Sequence, residues 1–262
     1  MTRSLMMATL VLALALPAAA LTGREVIDQA QQRNGFSTWR DRTMTASMET
    51  YDGDSLVRTR DMDVSEQTDP RGEHRTFLHF VGPADVKGTR FLHLSPRGDK
   101  DQQWLWAPTT RRTRRLGDAQ RDENFFGSDL SYRDLELLVR IQQWNDDEAT
   151  ATLVGEETID GKPAHLVELV PKNDEFPYAK YRLWFGTGDL LLWRVDVYQD
   201  EDTVVKRVTM RKYAPFGPYQ TAVEVTVANL PARTRTVFAM HDVRYDRGLD
   251  ADVFSVSNLD RG

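Results

Sequence analysis

The sequence predicts a mainly β protein with a few helices, built on one strongly curved antiparallel sheet of about eleven strands. Apolar and polar residues alternate in many short segments, and turn sequences rich in Gly, Asp and Pro separate them. Consecutive strands joined by short turns favour an antiparallel meander over a βαβ fold. Twist accumulates from strand to strand, so such a long sheet must curl or close, and helices on its concave side then enclose a hollow.

The first twenty residues have the pattern of a secretory signal. A basic start precedes an apolar run from Leu5 to Leu16, and three alanines ending at Ala20 follow it. This run is shorter than the roughly 20 residues of a membrane-spanning helix, so we expect cleavage after Ala20 and not a membrane anchor. The predicted organisation is a signal peptide over residues 1–20 and a single domain over residues 21–262 in the periplasm.

Composition narrows the function classes. The chain has 34 basic and 40 acidic residues, a net charge of −6, which argues against a general nucleic-acid binder. It has no cysteine, so disulfides, thiolate metal sites and a lipid-attachment cysteine are excluded. No second long apolar run follows the first, so we expect contact with membranes to be transient or through a partner.

The first predicted element of the domain is a helix. Thr22 and Glu25 have the spacing of a capping box, and Asn34-Gly35 is a typical helix end. Val26, Ile27 and Ala30, with Phe36 and Trp39 less regularly, provide its apolar side. Two interpretations stay open from the residues: a helix packed on a sheet, and a helix spanning the mouth of a curved sheet.

Alternation with a period of two begins after Asp41. Met44, Ala46 and Met48 share one face of the first strand, and turn sequences then separate the later strands. The main turns lie at residues 51–54, 68–72, 160–161, 186–189 and 215–218. The last segment, residues 249–259, is interpreted as a docking tail anchored by Val253, Phe254 and Val256.

The middle of the chain combines three kinds of element. The aromatic strand Trp104-Leu105-Trp106 ends at Ala107-Pro108, and the basic strand Arg111-Arg112-Thr113-Arg114-Arg115-Leu116 follows. An acidic loop then leads to Phe125-Phe126-Gly127-Ser128-Asp129, which we interpret as the entry of a helix. Ser128 or Asp129 is the expected cap, and apolar residues then repeat at spacings of three at Tyr132, Leu135 and Leu138.

These residues carry a resemblance. The stretch WLWAPTTRRTRRL followed by FFGSDLSYRDLE is similar to the LolA-like outer-membrane lipoprotein-sorting family, in its longer branch with a tryptophan-proline hairpin and a Gly-Ser-Asp-x-x-x-Tyr-x-Asp signature. The matching positions are Pro108, Gly127, Ser128, Asp129, Tyr132 and Asp134. The resemblance implies an unclosed β-barrel whose concave face is covered by helices and accommodates acyl chains. The family's lid-locking arginine lies near an Arg-Pro, whereas this chain has Pro70-Arg71, so that role is not transferred.

Two sets of binding residues follow as hypotheses. The hydrophobic hollow is predicted to be lined by Met44, Met48, Leu92, Trp104, Trp106, Phe125 and Phe126, because methionine and aromatic side chains adapt to varied apolar ligands. Four arginines form the second set: Arg111, Arg112, Arg114 and Arg115. One interpretation is a collar that holds anionic head groups or an acidic partner. The other is a structural strand whose arginines pair with Asp118, Asp122, Glu123, Asp129 or Asp134.

No catalytic, metal or cofactor site is predicted. The five histidines (His74, His79, His93, His165 and His241) are scattered, and their spacing matches no metal motif. The sequence has no Gly-x-Ser-x-Gly elbow, P-loop or dinucleotide-binding glycine pattern. Gly127-Ser128-Asp129 could hold a nucleophile, but capping explains the same residues.

We therefore interpret the chain as a periplasmic carrier, not an enzyme, that shields acyl chains of a lipoprotein or lipid during transfer to the outer membrane. The resemblance also implies an inner-membrane transporter of the resistance-nodulation type as partner, and we expect a monomer. Two alternatives stay open. An RseB-like regulatory sensor of envelope lipoproteins would normally have a second C-terminal domain, and an envelope hydrolase would need clustered catalytic groups.

Overall fold

The computed structural model describes residues 21–141, 144–172 and 177–261. The predicted signal peptide, residues 1–20, lies outside this part of the chain. The described residues form one antiparallel sheet of thirteen strands, two more than expected, with four short α-helices. The predicted fold class, a curved sheet that does not close, is confirmed.

The sheet consists of two meanders. The first contains β1 (Asp41–Asp52), β2 (Ser55–Thr68), β3 (His74–Gly82), β4 (Arg90–Ser95), β5 (Gln102–Ala107) and β6 (Arg112–Arg115). The second contains β7 (Ala149–Ile159), β8 (Lys162–Pro171), β9 (Lys180–Gly186), β10 (Leu192–Tyr198), β11 (Val204–Phe216), β12 (Tyr219–Asn229) and β13 (Thr234–Tyr245). The predicted Asp160-Gly161 hairpin is present, because Ile159 pairs with Lys162.

Pairing between β1 and β13 joins the two meanders. Thr45 lies opposite His241 and Met48 opposite Phe238, so the first and last strands meet in the middle of the sheet. The spatial order therefore begins at β6 and ends at β7, and these two strands are the edges. The chain between them, residues 116–148, must cross from one edge of the sheet to the other; we call it the crossing segment.

Helix α1 (Gly23–Asn34) covers the β7 side of the sheet. The predicted capping box is confirmed, since the Thr22 hydroxyl accepts from the Glu25 amide and the Glu25 side chain accepts from Thr22. Gly23 is required by close approach, because a Cβ there would lie 2.6 Å from the backbone carbon of Thr152. The helix ends at Asn34 as predicted, so Trp39 lies beyond it and packs edge-on against Tyr245.

The crossing segment contains α2 (Asp118–Arg121), a 3-10 turn (Phe125–Gly127) and α3 (Tyr132–Arg140). The predicted cap of α3 is wrong: the N-cap is Ser131, whose hydroxyl accepts from the Asp134 amide while the Asp134 carboxylate accepts from the Ser131 amide. Ser128 and Asp129 precede this position with the same capping chemistry, so the sequence alone did not distinguish them. Their side chains have other partners.

The apolar core lies between the second meander and the helices, and on both faces of the first meander. On the concave face, Phe80, Phe91 and Phe125 belong to one continuous cluster. On the convex face, the tail that includes α4 (Val256–Leu259) packs Phe254 and Leu259 against Leu92. Val253 and Phe254 therefore dock as predicted, but Val256 is exposed and Leu259 is the second buried anchor. In the part of the chain that the structure describes, no helix is long and apolar enough to cross a membrane.

Candidate ligand-binding hollow

A cavity of about 410 Å³ lies between the concave face of the sheet and the helices α1 and α3. Its size is in the range of small-molecule pockets, which are mostly apolar with a few polar groups. Apolar residues from both meanders and both helices dominate its wall, among them Ile27, Met44, Val64, Leu138, Val195 and Val208. The arrangement suits an apolar ligand.

One part of the wall is a row of partly buried apolar side chains across three central strands. Met210 of β11 lies opposite Val225 of β12, and Val225 lies opposite Phe238 of β13. Directly paired residues share a face, so all three point into the hollow, with Met240 beside them. We call these four residues the apolar row. They are only partly buried, whereas most apolar residues of the neighbouring core are nearly inaccessible to solvent.

Two ion pairs are the main charged features of the cavity wall. Arg42 Nε lies 2.6 Å from Glu66 Oε2, and the Arg42 guanidinium stacks 5.1 Å from the Trp39 ring. Lys206 of β11 forms the second pair, with Asp134 of α3. Both cations are therefore neutralised by a carboxylate, which keeps the hollow apolar in character.

The acids of the family signature fasten the crossing segment to the second meander. Asp129 accepts hydrogen bonds from the hydroxyls of Thr234 and, at 2.7 Å, Thr236. Asp134 binds Lys206 and accepts from the Tyr178 hydroxyl at 2.8 Å, in addition to capping α3. Because Asp134 is only 4% exposed, this ion pair is largely shielded from water. The signature residues hold the cover of the hollow in place.

A second polar cluster lies between α3 and the β4–β5 hairpin; we call it the hairpin cluster. Asp101 accepts from His93 at 3.1 Å and from Ser95 at 2.9 Å, and Arg140 lies 3.1 Å away. Burial would raise the pKa of Asp101, but the hydrogen bond and the charges of His93 and Arg140 hold it below its ordinary value. This cluster fastens the other side of α3.

Glu136 extends the hairpin cluster along α3. Its carboxylate is almost fully buried and lies 3.4 Å from Arg121 Nε. Burial raises the pKa of Glu136 to about 7, although the charge of Arg121 opposes this shift. The carboxyl group therefore titrates near neutral pH inside the packed structure.

Four of the seven sequence-predicted ligand residues lie on the concave side. Met44 and Phe125 line the cavity. Met48 and Phe126 belong to the same apolar cluster beside it, and the Phe126 ring centroid is 4.2 Å from that of Phe80. These four residues form part of the wall and its immediate support.

The other three predicted ligand residues lie elsewhere. Leu92, Trp104 and Trp106 point to the convex face and pack under the C-terminal tail. Alternation correctly puts Trp104 and Trp106 on one face of their strand. It does not show which face is concave, because the opposite face is also apolar, with Phe91 and Leu105. The tail supplies an apolar cover that makes both faces of these strands hydrophobic.

The predicted arginine collar lies on the edge strand β6 and the turn before it. Arg112 and Arg114 lie opposite Ala107 and Leu105, and Arg115 stacks 5.6 Å from Trp104 on the convex face. Arg111 occupies the turn, with a positive φ of 50°. None of the four lines the cavity as a collar at its mouth.

Four of the five acids that were candidate partners of these arginines are engaged elsewhere, and the fifth, Glu123, is exposed. Asp118 lies 3.8 Å from Arg121, and Asp122 lies 2.6 Å from Arg133. Asp129 and Asp134 face the second meander, as described above. Among the described residues, no ion pair or side-chain hydrogen bond joins Arg111, Arg112, Arg114 or Arg115 to an acid.

Sequence reasoning missed the apolar row and Lys206. The signal was present, since Val225 and Val227 alternate with polar residues along β12, but the same pattern also describes an ordinary buried strand face. Only the pairing across β11, β12 and β13 shows that these residues lie side by side on one face. Among residues 21–141, 144–172 and 177–261, no group of three or more metal-binding side chains could hold a metal ion.

Comparisons with known proteins agree with this architecture. A family model described as an uncharacterized protein matches residues 72–261. A DUF1329 family protein from Desulfovibrio piger is 27% identical, with a TM-score of 0.82, and the match covers 90% of this chain and 97% of that chain. No curated protein matches the sequence.

Two further structures share the fold. A Vibrio parahaemolyticus domain described as an outer membrane lipoprotein-sorting protein has a TM-score of 0.82 at 23% identity, covering 91% of this chain and 98% of its own. A LolA superfamily protein from Nitrosomonas europaea has a TM-score of 0.66 at 14% identity, covering 90% and 98%. These matches confirm the predicted resemblance at the level of the fold.

Proposed function

We propose that this protein is a non-catalytic periplasmic carrier. The chain belongs to the family whose model matches residues 72–261. Its fold is that of the LolA-like lipoprotein-sorting proteins. In the carrier role it shields the acyl chains of a lipoprotein or lipid during transfer to the outer membrane. An inner-membrane transporter of the resistance-nodulation type is the partner we expect from the family resemblance.

The observation that carries this proposal is the apolar row. Met210, Val225, Phe238 and Met240 face a cavity and are only partly buried by the chain itself. Exposed apolar surface is unfavourable in water, and burying each methylene of a ligand contributes about 0.8 kcal/mol. An acyl chain bound along the apolar row therefore buries the apolar surface that the protein itself leaves exposed.

The charged groups of the cavity wall suit ligand binding better than catalysis. Arg42 is held by Glu66, and Lys206 is held by Asp134, so each cation is engaged with a carboxylate. The Asp134 carboxylate also has Ser131 and Tyr178 as donors. A carrier needs such neutral pairs, because a free charge in the hollow would oppose an apolar chain.

Uptake of a fluorescent fatty acid by a cavity-filling variant tests the proposal. Val225→Trp puts an indole into the hollow, and we expect at least about tenfold weaker uptake because the ligand loses its space. Thr226→Trp is the matched control, since the adjacent residue of β12 points to the opposite face. Equal uptake by both folded variants would place the ligand elsewhere and refute the proposal.

A second measurement identifies the cargo. Mass spectrometry of organic extracts from protein purified from the periplasm without detergent should find a lipid or lipopeptide in near-stoichiometric amount. The same extraction of Val225→Trp should find much less. A lipid bound equally to both proteins would show that the hollow is not its site.

A further inference from the structure

The edge strand β6 has an open side. It pairs with β5 on one side only and is the last strand in the order of the sheet. The Leu116 amide donates to the Gln103 carbonyl, so by alternation the amide and carbonyl groups of Thr113 and Arg115 point away from β5. An open edge of this kind can accept another strand.

Among the described residues, the arginines of this edge form no ion pair with an acid. Arg111, Arg112, Arg114 and Arg115 are exposed, and the nearby acids Asp118 and Asp122 bind other arginines. The Arg115 guanidinium stacks on Trp104, which leaves its N–H donors available. Asp260 of the tail is the nearest acid with a described contact on β6, and its carboxylate accepts from the Thr113 hydroxyl.

The opposite edge differs in this respect. On β7, Glu156 lies 3.3 Å from His165, and Glu157 accepts from the Trp184 indole at 2.8 Å. Charges on edge strands generally prevent aggregation, and the acids of β7 serve that purpose while engaged with their own sheet. Arg111 and the three arginines of β6 form no ion pair among the described residues, although the protein has a net charge of −6. This concentration of positive charge is greater than the two acids of β7 provide in negative charge.

We propose that β6 is a docking edge for an extended acidic segment of a partner protein. The segment adds as a strand beside β6, with backbone hydrogen bonds to Thr113 and Arg115. Its carboxylates lie between the arginine side chains, where charge-assisted hydrogen bonds select for acidic sequence. This interaction goes beyond the carrier role, since the edge lies outside the cavity lining.

Labelled peptides test the proposal by fluorescence anisotropy with the full-length exported protein. An alternating Glu-Val octapeptide should bind, and its affinity should fall strongly as salt rises from about 0.05 M to about 0.5 M. A Lys-Val octapeptide should not bind. A Glu-Pro octapeptide carries the same charge but cannot form the ladder, so we expect at least about tenfold weaker binding.

Two double variants distinguish binding at β6 from nonspecific attraction to exposed arginines elsewhere. Arg112→Ser with Arg114→Ser should weaken Glu-Val binding by at least about tenfold. Arg211→Ser with Arg244→Ser removes two exposed arginines from inner strands and should change it by less than about twofold. Fatty-acid uptake should stay unchanged in both, so failure of the carrier role and failure of the docking edge are distinguishable.

Three outcomes would overturn the proposal. Equal binding of the Glu-Val and Glu-Pro peptides would show charge attraction without strand addition. Unchanged peptide binding in the β6 double variant would place the acidic site elsewhere. Arginine-dependent binding to phosphatidylglycerol vesicles, with no binding of the Glu-Val peptide, would assign the edge to lipid head groups.

Discussion

Two apolar surfaces of the sheet, one on the convex face of the first meander and one on the concave face of the second, are covered in different ways. On the convex face, the C-terminal tail packs Phe254 and Leu259 over Leu92, and all three side chains are nearly inaccessible to solvent. On the concave face, α1 and α3 leave the apolar row partly exposed to a cavity. An apolar surface alone therefore does not mark a ligand site. What marks it is partly buried apolar surface that faces a cavity.

The two covers also differ in how they are attached. Apolar anchors and hydrogen bonds to the buried Asp41 carboxylate hold the tail, whereas ion pairs hold α3: Asp134 with Lys206, and Asp101 with Arg140. The concave cover also contains Glu136, whose pKa burial raises to about 7, so we expect its stability to depend on pH near neutrality.

The largest expected effect lies on the convex face. Phe254→Ala should lower the free energy of unfolding by about 3 kcal/mol, because it removes a buried ring from under the tail. Val256→Ala, at a residue 36% exposed, should lower it by less than about 0.5 kcal/mol. Urea unfolding measures both. Loss of fatty-acid uptake in folded Phe254→Ala would contradict the claim that the ligand binds only at the concave surface.

Breaking the attachment of α3 should have a similar or slightly smaller effect. Asp134→Asn leaves Lys206 without its carboxylate, and we expect a loss of about 3 kcal/mol in unfolding free energy. Asp122→Asn is the control, since that carboxylate is largely exposed beside Arg133 and should contribute less than about 1 kcal/mol. Equal losses in the two variants would mean that the buried pair has no special role.

The pH dependence of stability should show the buried Glu136. Its folded pKa of about 7 lies above the ordinary 4.5, so the folded state binds the proton more tightly. This group therefore lowers the free energy of unfolding as pH rises between these values, by at most about 3 kcal/mol. Glu136→Gln lacks this dependence. Its stability relative to the parent protein should rise from about pH 5 to about pH 8, and a constant difference would contradict the assignment.

The smallest expected effect is on ligand uptake by a convex-face variant. Trp104→Ala should change fatty-acid uptake by less than about twofold, because the ring lies under the tail and outside the cavity lining. Val225→Trp, measured in parallel, should abolish most of the uptake. A strong loss in Trp104→Ala with intact far-UV dichroism would show that the convex surface, not the hollow, receives the ligand.

Local features of the fold were predictable from the sequence. The Thr22–Glu25 capping box and the Asp160-Gly161 hairpin depend on residues close in the chain, and both are present. The true cap of α3 was missed because Ser128, Asp129 and Ser131 offer the same chemistry within four residues. Local chemistry predicts that a helix begins here but not at which of these residues.

The candidate site depends on contacts between distant residues. Lys206 and Asp134 are 72 residues apart, and the apolar row requires the register of three strands. Alternation gave the two faces of β5 but not their direction, because the tail makes the convex face as apolar as the concave one. The position of the ligand site could therefore not be obtained from periodicity alone.

Photo-crosslinking of a diazirine-labelled fatty acid, followed by peptide mapping, tests the central claim most directly. The apolar row predicts adducts on peptides of β11, β12 and β13 around Met210, Val225 and Phe238, with few on β5 or the tail. Excess unlabelled fatty acid should suppress these adducts. Adducts concentrated at Trp104, Trp106 or the tail would contradict the assignment of the hollow as the binding site.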